Sequence, residues 1–208
     1  SIRGVDFNRF KPSQKYRGLI RKQLKIKADS LVFLYLGRLK KEKGIFELVK
    51  AFKSVSEKHA NVTLLIVGPD EEALKQELLS NLETCKQLVR FVDFTKTPER
   101  YMAASDIFVL PSYREGFGRA IIEAASCGLP SIGSNIYGLS DAILPGETGL
   151  LIPVRSSKFL KNAMSNLASN IQLVNDMGLN ARKRAINHFS ENSITLKILQ
   201  LYKNMLKG

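Results

Sequence analysis

Six short segments of strand length, some of them continuous apolar runs, alternate with segments of helical periodicity along this chain. The strand-like segments cover residues 31–36, 62–67, 89–92, 107–110, 131–133 and 150–152. A continuous apolar run is typical of a strand that is covered on both faces. Strands that alternate with helices form parallel sheets with helical crossovers. We therefore predict an α/β protein with a Rossmann-like parallel sheet of about six strands, flanked by helices.

The segments between these runs predict the helices. They are expected at 15–25, 45–55, 71–83, 98–104, 120–125, 159–167, 171–188 and 193–206, with a helical turn at 139–144. A chain of 208 residues is long enough for one well-buried domain. We assign residues 1–14 to a connecting segment, 15–190 to the Rossmann-like domain and 191–208 to a C-terminal helix.

The composition narrows the choice of partners. Lys and Arg total 32 against 19 for Asp and Glu, so the formal net charge is +13. This charge favours anionic partners such as nucleotides, nucleic acids or phospholipid surfaces. No DNA-reading motif or aromatic-interleaved basic strand is present, so we expect no nucleic-acid partner and favour an anionic membrane surface. Cys85 and Cys127 lack metal-ligand spacing and predict buried thiols in a reducing compartment, with no metal site.

The segment 110–130 (LPSYREGFGRAIIEAASCGLP) predicts a ligand site. A strand ends at Pro111, a loop presents Glu115, and a helix follows. In parallel sheets, ligands bind where a strand ends, and the helix that begins there offers free N–H groups to phosphate. Gly116 and Gly118 permit close approach to the backbone. Glu115 and Glu123 could meet the hydroxyls of a sugar, so this segment predicts a nucleotide-sugar site.

The loop after the first strand carries two cations, Arg38 and Lys43. A guanidinium can grip a diphosphate bidentately, and a lysine adds a compact charge. The alternative is an ordinary basic loop. For Glu115 the alternative is a solvated loop residue, and for Glu123 an exposed helix charge. The segment around Glu123 is apolar enough to be buried, however, and a buried carboxylate needs polar partners. The G-x-G-x-x-G fingerprint is absent after the first strand, which argues against a dinucleotide site.

Five segments, in this order and spacing, resemble the C-terminal domain of a GT-B glycosyltransferase. The resemblance is to the retaining family-4 type that is common in bacterial polysaccharide and glycolipid synthesis. The matching segments are 4–12 (the family's inter-domain linker), 36–44, 104–112, 115–124 (its E-x7-E signature) and 146–151.

The resemblance implies residue roles. Three residues would be catalytic: Arg38 and Lys43 would bind the donor diphosphate and steady the leaving nucleotide, and Glu115 would contact the transferred sugar. Glu123 would contact the ribose. The other donor-binding residues would be Gly37, Phe94, Gly116, Phe117, Gly118 and Arg119, and the strand end at 91–95, which includes Phe94, would line the base pocket. Arg119 stands where relatives usually carry an apolar residue, so it would either contact phosphate or face solvent. The family needs no metal or cofactor, and the sugar is transferred with retention, from UDP in preference to GDP.

The resemblance also implies partners. An N-terminal domain absent from this chain would carry the acceptor site, and the helix 191–208 would pack back toward it. The chain would then be a fragment, inactive alone, of a cytoplasmic enzyme peripheral to the inner membrane face. Its acceptor would be a lipid-linked or oligosaccharide intermediate. A stand-alone module that binds nucleotide sugars without catalysis is the alternative.

Overall fold

The computed structural model describes residues 4–189, which form one six-stranded parallel sheet flanked by helices. The strands are β1 (Leu31–Leu36), β2 (Val62–Val67), β3 (Val89–Val92), β4 (Ile107–Leu110), β5 (Ser131–Ser134) and β6 (Gly149–Ile152). Their order across the sheet is β3-β2-β1-β4-β5-β6, and each neighbouring pair is parallel. The predicted Rossmann-like sheet is confirmed.

Seven α-helices accompany the strands within residues 4–189. They are α1 (Gln14–Gln23), α2 (Ile45–Ser56), α3 (Lys75–Asn81), α4 (Pro98–Ala104), α5 (Arg119–Ser126), α6 (Ser157–Ala168) and α7 (Ile171–Phe189). At 139–144, hydrogen bonds such as that from Ile143 N to Leu139 O form the expected helical turn. The helix predicted at 193–206, like the unit 191–208, lies outside the described residues.

The third helix is shorter than its apolar spacing predicts, and the prediction of 71–83 is wrong at both ends. It begins at Lys75 because the Asp70 carboxylate accepts hydrogen bonds from the backbone N–H groups of Leu74 and Lys75, at 2.8 and 2.9 Å. Asp side chains compete in this way with helical backbone bonding. Ala73 has a positive φ of 53°, which interrupts the helical conformation before Leu74.

A buried ion pair holds the amino ends of β1 and β4 side by side. Arg21 of α1 is 4% exposed and donates to the Asp106 carboxylate at 2.8 Å. It also donates to four backbone carbonyls, those of Lys27, Ala28, Ser30 and Ala104. Asp106 in turn accepts from the backbone N–H of Val32 at 2.7 Å. Because the amino ends of β1 and β4 are fixed side by side, the loops that follow the two strands begin next to each other.

The N-terminal segment lies against the domain from Gly4 onward. Val5 and Phe10 are buried in the core, at 3% and 4% exposure. The backbone N–H of Val5 donates to the carbonyl of Phe189 at the end of α7, at 3.2 Å. Whether residues 1–14 link two domains stays a prediction.

Candidate functional site

Two loops meet where the strand order reverses, between β1 and β4. The first loop, residues 37–44, follows β1, and the second loop, residues 111–118, follows β4. The backbone N–H of Tyr113 donates to the carbonyl of Glu42 at 2.8 Å, which joins the loops directly. Gly44 has a φ of 68°, and a Cβ there would lie 2.1 Å from the carbonyl oxygen of Pro111. This crevice is where ligands bind in open α/β sheets.

A third loop, residues 135–148 after β5, lies against the second. A Cβ at Gly138 would lie 2.4 Å from the carbonyl oxygen of Gly116. Gly118 has a φ of 59° and precedes α5, and a Cβ on it would approach the carbonyl oxygen of Gly138 to 2.8 Å. Within residues 4–189, no side chain caps the start of α5. The N–H groups of its first turn are therefore suited to bind an anion.

Lys43 and Glu115, two of the predicted catalytic residues, are in contact across the first two loops. Lys43 Nζ lies 2.8 Å from Glu115 Oε1, and both side chains are mostly buried. The hydroxyl of Ser112, which is fully buried, donates to the same carboxylate oxygen at 2.8 Å. Charge-assisted hydrogen bonds of this kind hold an ammonium and a carboxylate in a defined orientation. The pair lies beside the start of α5.

Arg38, the third predicted catalytic residue, points to a different carboxylate. Its Nη1 lies 3.5 Å from Glu71 Oε2, and its side chain is half exposed. Lys40 Nζ lies 2.8 Å from the same oxygen, and its hydrogen bond lowers the pKa of Glu71. The Arg38 backbone is held separately, because the hydroxyl of Tyr35 donates to its carbonyl at 2.7 Å. Burial raises the pKa of Tyr35, so this hydroxyl keeps its proton.

Arg119 and Glu123 form an ion pair along the first turns of α5. Arg119 Nε lies 2.9 Å from Glu123 Oε1; the arginine side chain is 59% exposed and the carboxylate 13%. Burial raises the pKa of Glu123, while the nearby charges of Arg119 and Arg9 act against the rise and that of Glu99 adds to it. Glu123, which the sequence predicted to be buried and in need of a polar partner, is therefore paired with a cation. Arg119 contacts this carboxylate while much of its side chain faces solvent.

The remaining predicted donor-binding residues lie on the same edge of the sheet, but not all together. Gly37 directly follows β1, and its N–H donates to the carbonyl of Val67 at 2.9 Å. Phe117 is half exposed, with its ring edge-on to that of Phe189 at 6.3 Å. Phe94 is 68% exposed on the loop after β3, two strands away from β1. The base-binding role predicted for Phe94 stays a prediction.

Sequence reasoning missed Ser112, Tyr35 and Lys40. Ser112 stands three residues before Glu115, a spacing that lets a loop hydroxyl reach the carboxylate. Tyr35 is the one polar side chain in the run LVFLYL, and a buried phenol needs a hydrogen-bond partner. The contact of Lys40 with Glu71 could not be predicted from the sequence, because Lys40 lies in a loop with several other lysines.

Residues 4–189 contain no group of three or more His, Cys, Asp or Glu side chains that could hold a metal ion. In the same part of the chain, no helix combines the length and the apolar character needed to cross a membrane. Cys85 and Cys127 are buried free thiols, and burial raises the pKa of Cys127 to about 12. The predicted burial of both thiols is confirmed.

The sheet order and flanking helices are those of the C-terminal domain of GT-B glycosyltransferases. HepE from Anabaena, solved in complex with UDP and glucose, is similar to this chain with a TM-score of 0.86 and 26% identity, over 97% of this chain and 55% of that one. A C-terminal domain of LpcC from Francisella tularensis shares the fold, with a TM-score of 0.81 and 22% identity over 90% of this chain.

The chain belongs to the glycosyl transferases group 1 family, whose sequence profile matches residues 17–184. It is 32% identical to the capsular polysaccharide biosynthesis glycosyltransferase CapM of Staphylococcus aureus, over 100% of this chain and 54% of that protein. It is also 32% identical to an Escherichia coli UDP-Gal:alpha-D-GlcNAc-diphosphoundecaprenol alpha-1,3-galactosyltransferase, over 98% of this chain and 53% of that protein. The chain thus spans about half the length of these relatives.

Proposed function

We propose that this chain is the donor-binding domain of a retaining glycosyltransferase that uses a UDP-sugar. The observation that carries the proposal is the contact between Lys43 and Glu115 at the strand-order reversal, beside the uncapped start of α5. The Lys43 ammonium suits a phosphate, and the Glu115 carboxylate suits a sugar hydroxyl. The two groups are neighbours, and in a nucleotide sugar the diphosphate and the sugar are neighbours too. The HepE complex with UDP and glucose supports this choice of donor.

In the proposed reaction, the bond between the anomeric carbon and the β-phosphate oxygen breaks. Lys43, Arg38 and the first amides of α5 would stabilise the charge that develops on the departing diphosphate. Glu115 would orient the sugar, and Glu123 the ribose. An acceptor hydroxyl would bond to the same face of the anomeric carbon, and its proton would pass to the departing diphosphate oxygen. None of these steps uses a metal or a cofactor.

The acceptor would bind to an N-terminal domain, and we propose that it is a lipid-linked or oligosaccharide intermediate of cell-surface polysaccharide synthesis. The names of CapM and of the diphosphoundecaprenol galactosyltransferase support this class of acceptor. The net charge of +13 supports peripheral contact with anionic lipids at the inner face of the cytoplasmic membrane. The double length of these relatives favours an enzyme over a stand-alone binding module.

Calorimetric titration of the chain with UDP, GDP and their sugars, without metal, tests the proposal. UDP should bind, and Arg38→Ala and Lys43→Ala should each weaken it by about 1.5–3 kcal/mol, the worth of hydrogen bonds to charged groups. Lys22 and Lys58, both exposed, supply the control, because their double alanine variant removes the same charge elsewhere. Equal UDP affinity in the wild type and the Arg38→Ala, Lys43→Ala variant would contradict the assignment. If nothing binds, the same titration of the full-length protein decides between a site that needs its second domain and a wrong assignment.

A further inference from the structure

One side chain ties the N-terminal segment to the edge of the sheet where β3 ends. Arg9 Nη2 donates to the carbonyl of Lys96 at 2.6 Å, and Arg9 Nε donates to Glu99 Oε2 at 3.0 Å. The guanidinium also lies over the ring of Phe10, 5.2 Å from its centre. Because Phe10 is buried in the core, Arg9 is held at a fixed place on the domain.

The loop that Arg9 reaches, residues 93–97, has few other ties. Its internal contacts are a hydrogen bond from the N–H of Thr97 to Thr95 Oγ1, at 3.1 Å, and one between the two threonine hydroxyls, at 3.3 Å. The side chains of Asp93 and Phe94 are largely exposed. From outside the loop, the bond from Arg9 joins an ion pair of Asp93 with Lys75, at 3.9 Å, and a hydrogen bond from the N–H of Arg100 to the Thr97 carbonyl, at 3.2 Å.

This loop lies at the carboxyl edge of the sheet, next to α4. Glu99, the second partner of Arg9, is in the first turn of α4 and is 9% exposed. Both Arg9 and Glu99 lie close enough to Glu123 for their charges to act on its carboxyl group. Arg9 therefore contacts the loop 93–97 directly, and its charge also acts on the carboxylate assigned to the ribose.

We propose that Arg9 is a positioning residue for the nucleoside end of the donor: it preorganises the loop 93–97, which receives the base. The inference rests on the proposed function, and it makes the segment that precedes the domain part of nucleotide recognition. Without the guanidinium, the loop must be ordered at the moment of binding, and that ordering lowers affinity. The loss should fall on ligands that carry a nucleoside and spare those that carry only a diphosphate.

The test compares UDP with inorganic pyrophosphate as titrants of the 208-residue chain. In the variant Arg9→Met, Glu99→Gln, which avoids leaving a buried carboxylate unpaired, we expect the Kd for UDP to rise about three- to tenfold. The Kd for pyrophosphate should not change. Arg9→Lys keeps one donor and should restore part of the UDP affinity.

Arg90 supplies a matched control. It lies near the amino end of β3, the strand that the loop 93–97 follows. Its guanidinium donates to four backbone carbonyls, those of Leu24, Lys25, Gln87 and Val89. Arg90→Met should lower the Tm and leave both dissociation constants unchanged. Hydrogen exchange adds a readout that needs no ligand: amides of the loop 93–97 should exchange faster in the Arg9 variant, and not in the Arg90 variant.

The outcomes separate this inference from the proposed function. UDP binding that is equal in the wild type and the Arg9 variant, with unchanged exchange in the loop, would overturn the positioning role and leave the donor site intact. An equal loss for UDP and pyrophosphate would also overturn it, since Arg9 would then act on the domain as a whole. A wild-type chain that binds neither titrant, alone or in the full-length protein, would reject the proposed function and the inference together.

Discussion

Each of the three side-chain cations assigned to the donor site contacts a carboxylate in the structure. Lys43 is paired with Glu115, Arg119 with Glu123 and, at 3.5 Å, Arg38 with Glu71. These pairs offset the repulsion that closely spaced like charges would otherwise cause. A bound diphosphate would compete for the exposed Arg38 or add to the pairs already formed, so the carboxylates set how strongly the cations attract it.

Tyr35→Phe tests whether the backbone of the Arg38 loop matters for binding. The change removes only the hydroxyl that donates to the Arg38 carbonyl. We expect a loss of about 0.5–1.5 kcal/mol in the free energy of unfolding, the usual worth of such a bond. The Kd for UDP should rise by no more than about tenfold, because 1.4 kcal/mol corresponds to a factor of ten. Tyr137→Phe, at a side chain 82% exposed, is the control and should change neither quantity in denaturant unfolding or titration.

Glu123→Gln should change the stability of the fold and the affinity for UDP in opposite directions. The folded-state pKa of Glu123 is raised by burial, so its contribution to stability is full below the unfolded pKa and is lost as the pH rises through the folded pKa. Glutamine cannot ionise, and the variant should therefore gain more stability over the wild type at pH 7 than at about pH 3.5, below the unfolded pKa. Arg119, Arg9 and Glu99 are the charges that act on this carboxyl group.

Thermal unfolding of both proteins at the two pH values measures this difference for Glu123→Gln. A gain that is the same at both pH values, or larger in acid, would show that the folded carboxyl group is not harder to ionise than the unfolded one. Titration with UDP should at the same time show weaker binding, because an amide replaces the carboxylate assigned to the ribose.

At the scale of elements, Gly44 and Gly146 form a natural comparison. Both have a positive φ, of 68° and 81°, but only Gly44 lies against another backbone, that of Pro111. A Cβ at Gly146 would meet no atom of the described residues within 4 Å, so Gly146→Ala should cost about 1 kcal/mol of backbone strain. Gly44→Ala adds a clash between the start of α2 and the second loop. We expect it to cost about 3 kcal/mol or more in urea unfolding.

The cost of Gly44→Ala should appear in UDP affinity too, since the clash parts the first loop from the second. Equal destabilisation by the two alanine variants would mean that the contact between Gly44 and Pro111 is not a constraint on the folded chain.

The strands could be predicted from the sequence, and part of the helix boundaries could not. A parallel strand that is covered on both faces is nearly continuous in apolar residues, so runs such as 31–36 and 62–67 could be recognised without tertiary information. The start of α3 depends on a carboxylate that bonds to a backbone four and five residues away, which apolar spacing does not register. The contact of Arg9 with Lys96 joins positions 87 apart, and no local pattern could predict it.

The candidate site, too, could be predicted from the sequence only in part. Glu115 and Glu123 could be identified because their segment combines a strand end, glycines and a helix start. That Lys43 meets Glu115, and that Arg38 meets Glu71 instead, follows from the strand order, which sets which loops are neighbours.

For the molecule as a whole, the buried pair of Arg21 and Asp106 determines how the helical layer meets the sheet. Arg21→Met removes five bonding partners and leaves the Asp106 carboxylate, 15% exposed, with Arg17 as its one remaining cationic partner among residues 4–189. Breaking a buried pair from one side typically costs about 3–5 kcal/mol. Urea unfolding should show a loss in this range.

Arg114→Met is the matched control for Arg21→Met, because its ion pair with Glu42 is exposed. A surface substitution of this kind should stay within about 0.5 kcal/mol of the wild type. If Arg21→Met also stayed within that range, the pair would be dispensable for joining α1 to the sheet.

The glycine contacts among the three loops bear on how such a site could be re-engineered. A Cβ at Gly44 would crowd the backbone of Pro111, one at Gly118 that of Gly138, and one at Gly138 that of Gly116. These close approaches between backbones do not themselves depend on the side chains that face the ligand. Residues that face the ligand could be exchanged singly to admit a different sugar. A loop transplanted from a relative without its two neighbours, by contrast, would bring a backbone path that the others do not fit, so working chimeras should exchange all three loops as a set.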